Sequence, residues 1–166
     1  MAVRDVVRYP AAVLKSPAAT LDPGPEAEAI AADLIETMRA SPACVGLAAP
    51  QIGLGVSAFA LDVTGHKKAR SCAGLVVMIN PEIVAHDGSE LAREGCMSLP
   101  DFTGNVRRAQ WVRVRGLSPA GETVEIEADA FEARAFQHEI DHVNGLLFLD
   151  RVVSMTSDVF ERKRYR

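Results

Sequence analysis

Apolar and polar residues first alternate regularly between residues 26 and 40. Ala27, Ile30, Ala31, Leu34 and Met38 recur at helical spacing, with Glu28, Asp33, Glu36 and Arg39 between them. Pro23 and Pro25 precede the run and Ser41-Pro42 stops it, so the pattern predicts an amphipathic helix packed on the core. VGLAAPQIGLG follows, small and apolar, and reads as a tightly packed loop. Strand candidates then succeed one another at residues 56–61, 75–80, 82–85, 90–94, 110–117 and 123–127. The last two alternate in character as half-buried antiparallel strands do. Gly65, Asp87-Gly88 and Ala120-Gly121 supply turns.

A second helix is predicted from Asp129 to Asn144. Asp129 is placed at its N-cap with Glu132 three residues on, an aspartate version of the capping box. Asn144-Gly145 supplies the stop. Phe131, Ala135, His138 and His142 form one stripe, and Ala133, Phe136, Ile140 and Val143 form another. Two such stripes predict a helix enclosed on most sides. The expected architecture is α+β, with antiparallel β-sheets surrounding a central helix. The tail after Asp150 is short and mixed and receives no assignment.

A length of 166 residues suits one domain over residues 1–166. The net charge of −4 is too mild to suggest nucleic-acid wrapping, so no nucleic-acid partner is inferred. No stretch approaches the ~20 apolar residues of a membrane span, and MAVRDVVRYP lacks the apolar run of a signal peptide. The three cysteines, Cys44, Cys72 and Cys96, have no zinc-knuckle or redox spacing. Reduced thiols in a cytoplasm are the expectation.

His138-Glu139-Ile140-Asp141-His142 carries the strongest chemistry. Residues four apart on a helix share a face, so two imidazoles can bind one divalent ion with the glutamate beside it. Alone, this short pattern also arises by chance in helices whose histidines merely pack or face solvent. The metzincin pattern fails because Phe148 stands where its third histidine belongs. A thermolysin-like site needs a downstream glutamate, for which Glu161 is the candidate. Upstream, Glu94-Gly95-Cys96-Met97-Ser98 offers a thiolate, a good ligand for zinc or ferrous iron. A lone cysteine is more often a buried small hydrophobe. In Val45-Gly46-Leu47-Ala48-Ala49-Pro50-Gln51, small residues permit close approach of a substrate, and Gln51 can offer an N–H to a developing oxyanion.

Taken together, VGLAAPQ, EGCMS and QHEIDH, in this order and followed by NGLLF, resemble the three signature motifs of peptide deformylases. The resemblance runs from the first helix to about Asp150 and includes INPEI and VRRAQWVRV. It implies removal of the N-formyl group from the N-terminal methionine of nascent polypeptides, with release of formate. It further implies Cys96, His138 and His142 as metal ligands with water as the fourth. Glu139 becomes the general acid/base, and Gln51 and the Met97 backbone N–H become oxyanion donors. Gly46 and Leu47 would border the substrate, while Glu94, Arg108 and Asp141 would brace the site from behind. Phe131, Ala135 and Leu47 are candidates for an apolar methionine pocket, although Phe131 reads equally as core. The implied metal is Fe2+, one ion per chain, with Zn2+, Ni2+ or Co2+ able to substitute. Transient ribosome association is implied only by the substrate's origin.

Two departures stand out. Cys44 occupies the place of the family's first loop glycine, and Met97 replaces the usual leucine. Rival readings are a metallopeptidase or other amidase, a deformylase-like protein that binds without useful catalysis, and a structural metal with Cys44 as fourth ligand.

Overall fold

The computed structural model describes residues 2–162. Among these residues are two α-helices and eight strands, the strands being β1 (Gly46–Ala48), β2 (Ala58–Leu61), β3 (Val76–Asp87), β4 (Glu90–Cys96), β5 (Leu99–Arg108), β6 (Trp111–Leu117), β7 (Thr123–Asp129) and β8 (Val159–Glu161). Helix α1 (Pro25–Arg39) precedes β1, and α2 (Ala130–Val143) lies between β7 and β8. The strands form two antiparallel sheets, β1-β2-β3-β6-β7 and β4-β5-β8.

The larger sheet is covered on both faces. The predicted stripe of α1 is buried and packs with Leu47, Ala58, Ala60 and Ile79. Phe59, Leu61, Met78, Val112 and Val114 meet Ala133, Phe136, Ile140 and Val143 of α2 instead. Alternate residues of β2 thus serve different cores, which explains a continuous apolar run where a one-sided strand would alternate. The opposite side of α2 reaches the smaller sheet through polar contacts described below. The central helix is therefore enclosed as the two stripes predicted.

The candidates at residues 75–80 and 82–85 belong to one strand. β3 continues through Pro81, with a register shift between Ile79 and Glu82. Asn80 adopts φ +51° at the bend, and its amide exchanges two hydrogen bonds with the Leu21 backbone, at 2.9 and 2.8 Å. β1 and β5 were not foreseen. β1 is three residues long, and β5 carries Pro100, Asp101, Gly104 and Asn105, which disguise a strand held by β4 and β8 on its two edges. The unassigned tail contributes β8, and Glu161 lies there, exposed and outside the cluster able to hold a metal.

The predicted capping box is corrected by the structure. Asp129 is the N-cap of α2 but makes no side-chain cap bond. Its carboxylate accepts the Ser71 N–H, and Glu132 accepts the Ser71 hydroxyl and the Ala73 N–H. Both acids clamp the loop before β3, because Ala130 enters the helix at φ +50°, away from ordinary cap geometry. The C-terminus behaves as expected. Gly145 has φ +80°, its N–H reaches His142 O, and the Leu146 N–H reaches Asp141 O, a Schellman arrangement. A β-carbon on Gly145 would also lie 2.8 Å from the Ser16 carbonyl carbon. Gly145→Ala should therefore destabilise the fold by about 1–3 kcal/mol, read as a lowered thermal midpoint. An unchanged midpoint would contradict this account of the helix end.

Candidate metal centre

β4 ends at Cys96, and Met97-Ser98 form the turn into β5. His138 and His142 project from α2 one turn apart. The fold brings these three side chains together. His138 Nε2 and His142 Nε2 are 3.2 Å apart, and Cys96 Sγ is 3.4 Å from His142 Nε2. All three donor atoms lie within 4.8 Å of one another. Donors held at bonding distance by one tetrahedral ion sit about 3.3–3.8 Å apart, so the set fits a single ion. His138 Nδ1 faces Glu94 Oε1 at 2.9 Å, and donation there leaves the Nε2 lone pair for a metal. His142 Nδ1 is buried without a hydrogen-bond partner among the described residues.

Burial opposes ionisation of the Cys96 thiol, but the imidazoles of His142 and His138 outweigh it and hold its pKa well below the usual range. A thiolate is the form a metal needs. Cys44 is different. Burial, reinforced by the charge of Glu139, pushes its thiol up to about 12. Its Sγ lies 3.2 Å from Gly46 O, and it is not part of the three-donor cluster. That geometry disfavours a four-ligand structural site.

Glu139 is buried beside the cluster with Oε1 unpartnered, and burial raises its pKa against the pull of the two histidines. Gly46 makes room for it, since a β-carbon there would stand 2.6 Å from Glu139 Oε2. Gln51 is held at both ends of its amide. Oε1 accepts the Ala48 N–H at 3.0 Å, and Nε2 lies 3.2 Å from Ser98 Oγ and 3.5 Å from Cys96 Sγ. The N-terminal segment fastens the same two elements, through Val7 N–H to Gln51 O and Tyr9 N–H to Ser98 O. Nothing in its mixed sequence announced that role.

Behind the histidines lies a buried charge network. Glu94 Oε2 accepts from Arg108 Nε and Arg134 Nη1, both at 2.6 Å, and Oε1 accepts from Arg108 Nη2 at 2.9 Å. Arg108 Nη1 continues to Asp141 Oδ2 at 2.8 Å, which Arg151 grips with two further bonds. Burial would raise the Glu94 pKa, but His138 and Arg108 hold it well below the usual carboxylate range. Glu94, Arg108 and Asp141 thus form one network that reaches His138, and Arg134 and Arg151, which the sequence reading did not name, join it. Arg134 had a signal, being a charge within a helix read as enclosed on most sides.

A cleft of about 350 Å³ opens onto these groups. Gly46, Gln51, Cys96, Met97, Phe131, Ala135, His138 and Glu139 all line it. Phe131 is half-buried, and its ring is stacked at 3.9 Å and 5° on His66, which backs this wall. Leu47 requires a correction. Its side chain is fully buried against the α1 core and does not line the cleft, because alternation along β1 turns it to the opposite face from its neighbours.

Comparison with known proteins agrees with this geometry. The family profile of polypeptide deformylase matches residues 3–158. A peptide deformylase of Thermodesulfovibrio yellowstonii is 38% identical over 164 residues, covering 98% of this chain and 97% of its own. One from Desulforudis audaxviator is 42% identical over 165 residues, covering 98% and 99%. The crystal structure of peptide deformylase from Thermotoga maritima superposes with a TM-score of 0.82 at 35% identity, over 93% of this chain and 100% of that one. That from Legionella pneumophila gives 0.83 at 34%, over 93% and 88%. By sequence and by fold, this chain belongs to the polypeptide deformylase family.

Proposed function

We propose that this chain is a metal-dependent hydrolase that removes the N-formyl group from N-formylmethionyl polypeptides and releases formate. The observation that carries the reading is Glu139, a buried carboxylate with an uncommitted oxygen, in a cleft also lined by Cys96 and His138, with His142 completing their three-donor cluster. Three protein donors leave a position open, as catalytic rather than structural sites do. Cys96, His138 and His142 would hold the ion. Fe2+ is the proposed working metal, and this mixed sulfur and nitrogen set also accepts Zn2+, Ni2+ or Co2+. When bound, the ion would supply Lewis acidity, polarising the formyl carbonyl and lowering the pKa of water towards ~7.

The protein's own groups do the rest. Glu139 takes a proton from the attacking water as its oxygen bonds to the formyl carbon. Gln51 Nε2 and the Met97 backbone N–H donate to the oxygen that gains charge. Glu139 then returns the proton to the amine nitrogen as the carbon–nitrogen bond breaks, leaving formate and a free N-terminus. Phe131 and Ala135 offer the apolar wall for the methionine side chain, and Gly46 lets the peptide backbone pass close. An extended peptide can enter as an added strand, since β1 and β4 each end a sheet. Among the described residues no helix is long and apolar enough to cross a membrane. The substrate's origin favours work in the cytoplasm, with transient association with the ribosome.

The test is formate release from a formyl-methionyl peptide by protein kept from oxygen and loaded with ferrous iron. Wild type should turn over. Glu139→Gln should keep its metal and lose about 100- to 10,000-fold in rate. Near-normal turnover in that variant would remove Glu139 from the mechanism. Glu94→Gln should weaken metal affinity by about 10- to 100-fold in chelator competition, because the His138 ring loses its charged acceptor. Unchanged affinity would show that the network does not orient the ligand.

A further inference from the structure

Two arginines at the same cleft take no part in the scheme above. Arg93, on β4, is fixed by neutral partners. Its Nε donates to Asn105 Oδ1 at 3.1 Å, its Nη1 lies 3.4 Å from Thr103 Oγ1, and its guanidinium sits 3.7 Å above the Phe160 ring. Its Nη2 makes no hydrogen bond among the described residues, and no carboxylate among them pairs with it. Arg162 continues from β8, with its N–H on Asp101 O at 2.8 Å. Its guanidinium lies over Gly95, in the space a β-carbon there would fill, and it too forms no ion pair among the described residues. Both line the cleft that holds Cys96 and Glu139, and both line the shallower depression that adjoins it. Glu161 borders that depression without pairing with either.

This arrangement is unusual for a chain of net charge −4, in which the other arginines near the site, Arg108, Arg134 and Arg151, are all consumed by carboxylates. Pro42, Ala43, Cys44 and Val45 also line the cleft and carry no ionised side chain, the Cys44 thiol being pushed up to about 12 by burial. Among the described residues, the rim therefore carries two guanidiniums that no carboxylate pairs with. It is also pre-ordered at Arg93, whose partners hold the guanidinium without neutralising it. We propose that Arg93 and Arg162 form an anion subsite that favours substrates bearing a carboxylate side chain downstream of the formylmethionine. The inference rests on the deformylase reading. Among the described residues β4 has no strand on its outer edge, and Arg93 and Gly95 share one face of it. A peptide added along that edge presents every second side chain to the face the two arginines occupy. Guanidinium–carboxylate pairs at a half-exposed rim are modest, so the preference should be modest too.

The test uses metal-loaded enzyme and C-terminally amidated peptides, formyl-Met-X-Ala and formyl-Met-Ala-X, with X as Glu, Gln or Lys. At one of the two positions the Glu peptide should exceed the Gln peptide in kcat/KM by about three- to tenfold, mainly through KM. The Lys peptide should fall below both, and added salt should compress the series. Within Arg162→Ala and Arg93→Gln the Glu/Gln ratio should approach one, a ratio that cancels any general loss of activity. Turnover of the Gln peptides with equal values for Glu, Gln and Lys at both positions would overturn the subsite alone. A Glu preference that survives in both variants would do the same. No turnover of the Gln peptides would overturn the deformylase reading, and the subsite with it.

Discussion

The Glu94 carboxylate, withdrawn from water on β4, joins the smaller sheet to the central helix. Its two oxygens serve His138 and Arg134 from successive turns of α2 and Arg108 from β5. Removing an ion from water costs several kcal/mol unless geometry and hydrogen bonds compensate. Here four bonds do so, and Asp141 balances the second buried guanidinium. The cluster therefore tolerates burial only when complete. Its position dictates where His138 points, and through His138 where a metal can sit. Apolar packing seats the other face of α2 against the larger sheet, but it could not fix the rotation of an imidazole ring.

The same economy of space governs the reacting groups. Gly46 is an edge-strand residue whose missing side chain accommodates the Glu139 carboxylate, so the first motif and the third are one steric unit. Gln51 is similarly defined by its neighbours. With its carbonyl oxygen committed to Ala48, its N–H₂ must face Cys96 and Ser98, where an oxyanion donor is wanted. The N-terminal segment then ties Gln51 and Ser98 to one strap. Gln51 is thus held by hydrogen bonds and Glu139 by close packing, which is what preorganisation requires.

Much of this was legible in the chain. Helical periodicity placed α1 and α2 to within a residue or two, because both bury defined stripes. Three spaced motifs pointed to Cys96, His138, His142, Glu139 and Gln51, since the chemistry demands those residue types. What escaped was set by distant neighbours. β5 reads as irregular because pairing on both edges stabilises it more than its own composition does. Asp129 and Glu132 resemble a cap locally, yet a loop some 58 residues earlier in sequence claims them. Leu47 was assigned to the substrate's border from the motif resemblance, although period-two alternation turns its side chain into the core. Arg151 was missed because an ion-pair partner leaves no periodic trace, whereas Arg134 stood as an unexplained charge in an enclosed helix whose partner, Glu94, lies 40 residues away.

The central claim is that one cysteine and two histidines of this chain form the donor set, with Cys44 outside it. Absorption spectroscopy of the Co2+-loaded protein tests it directly, since thiolate ligation produces a sulfur-to-cobalt charge-transfer band. The account predicts that the band is present in wild type and in Cys44→Ser and is lost in Cys96→Ser. A band that survives Cys96→Ser, or that disappears with Cys44→Ser, would contradict it.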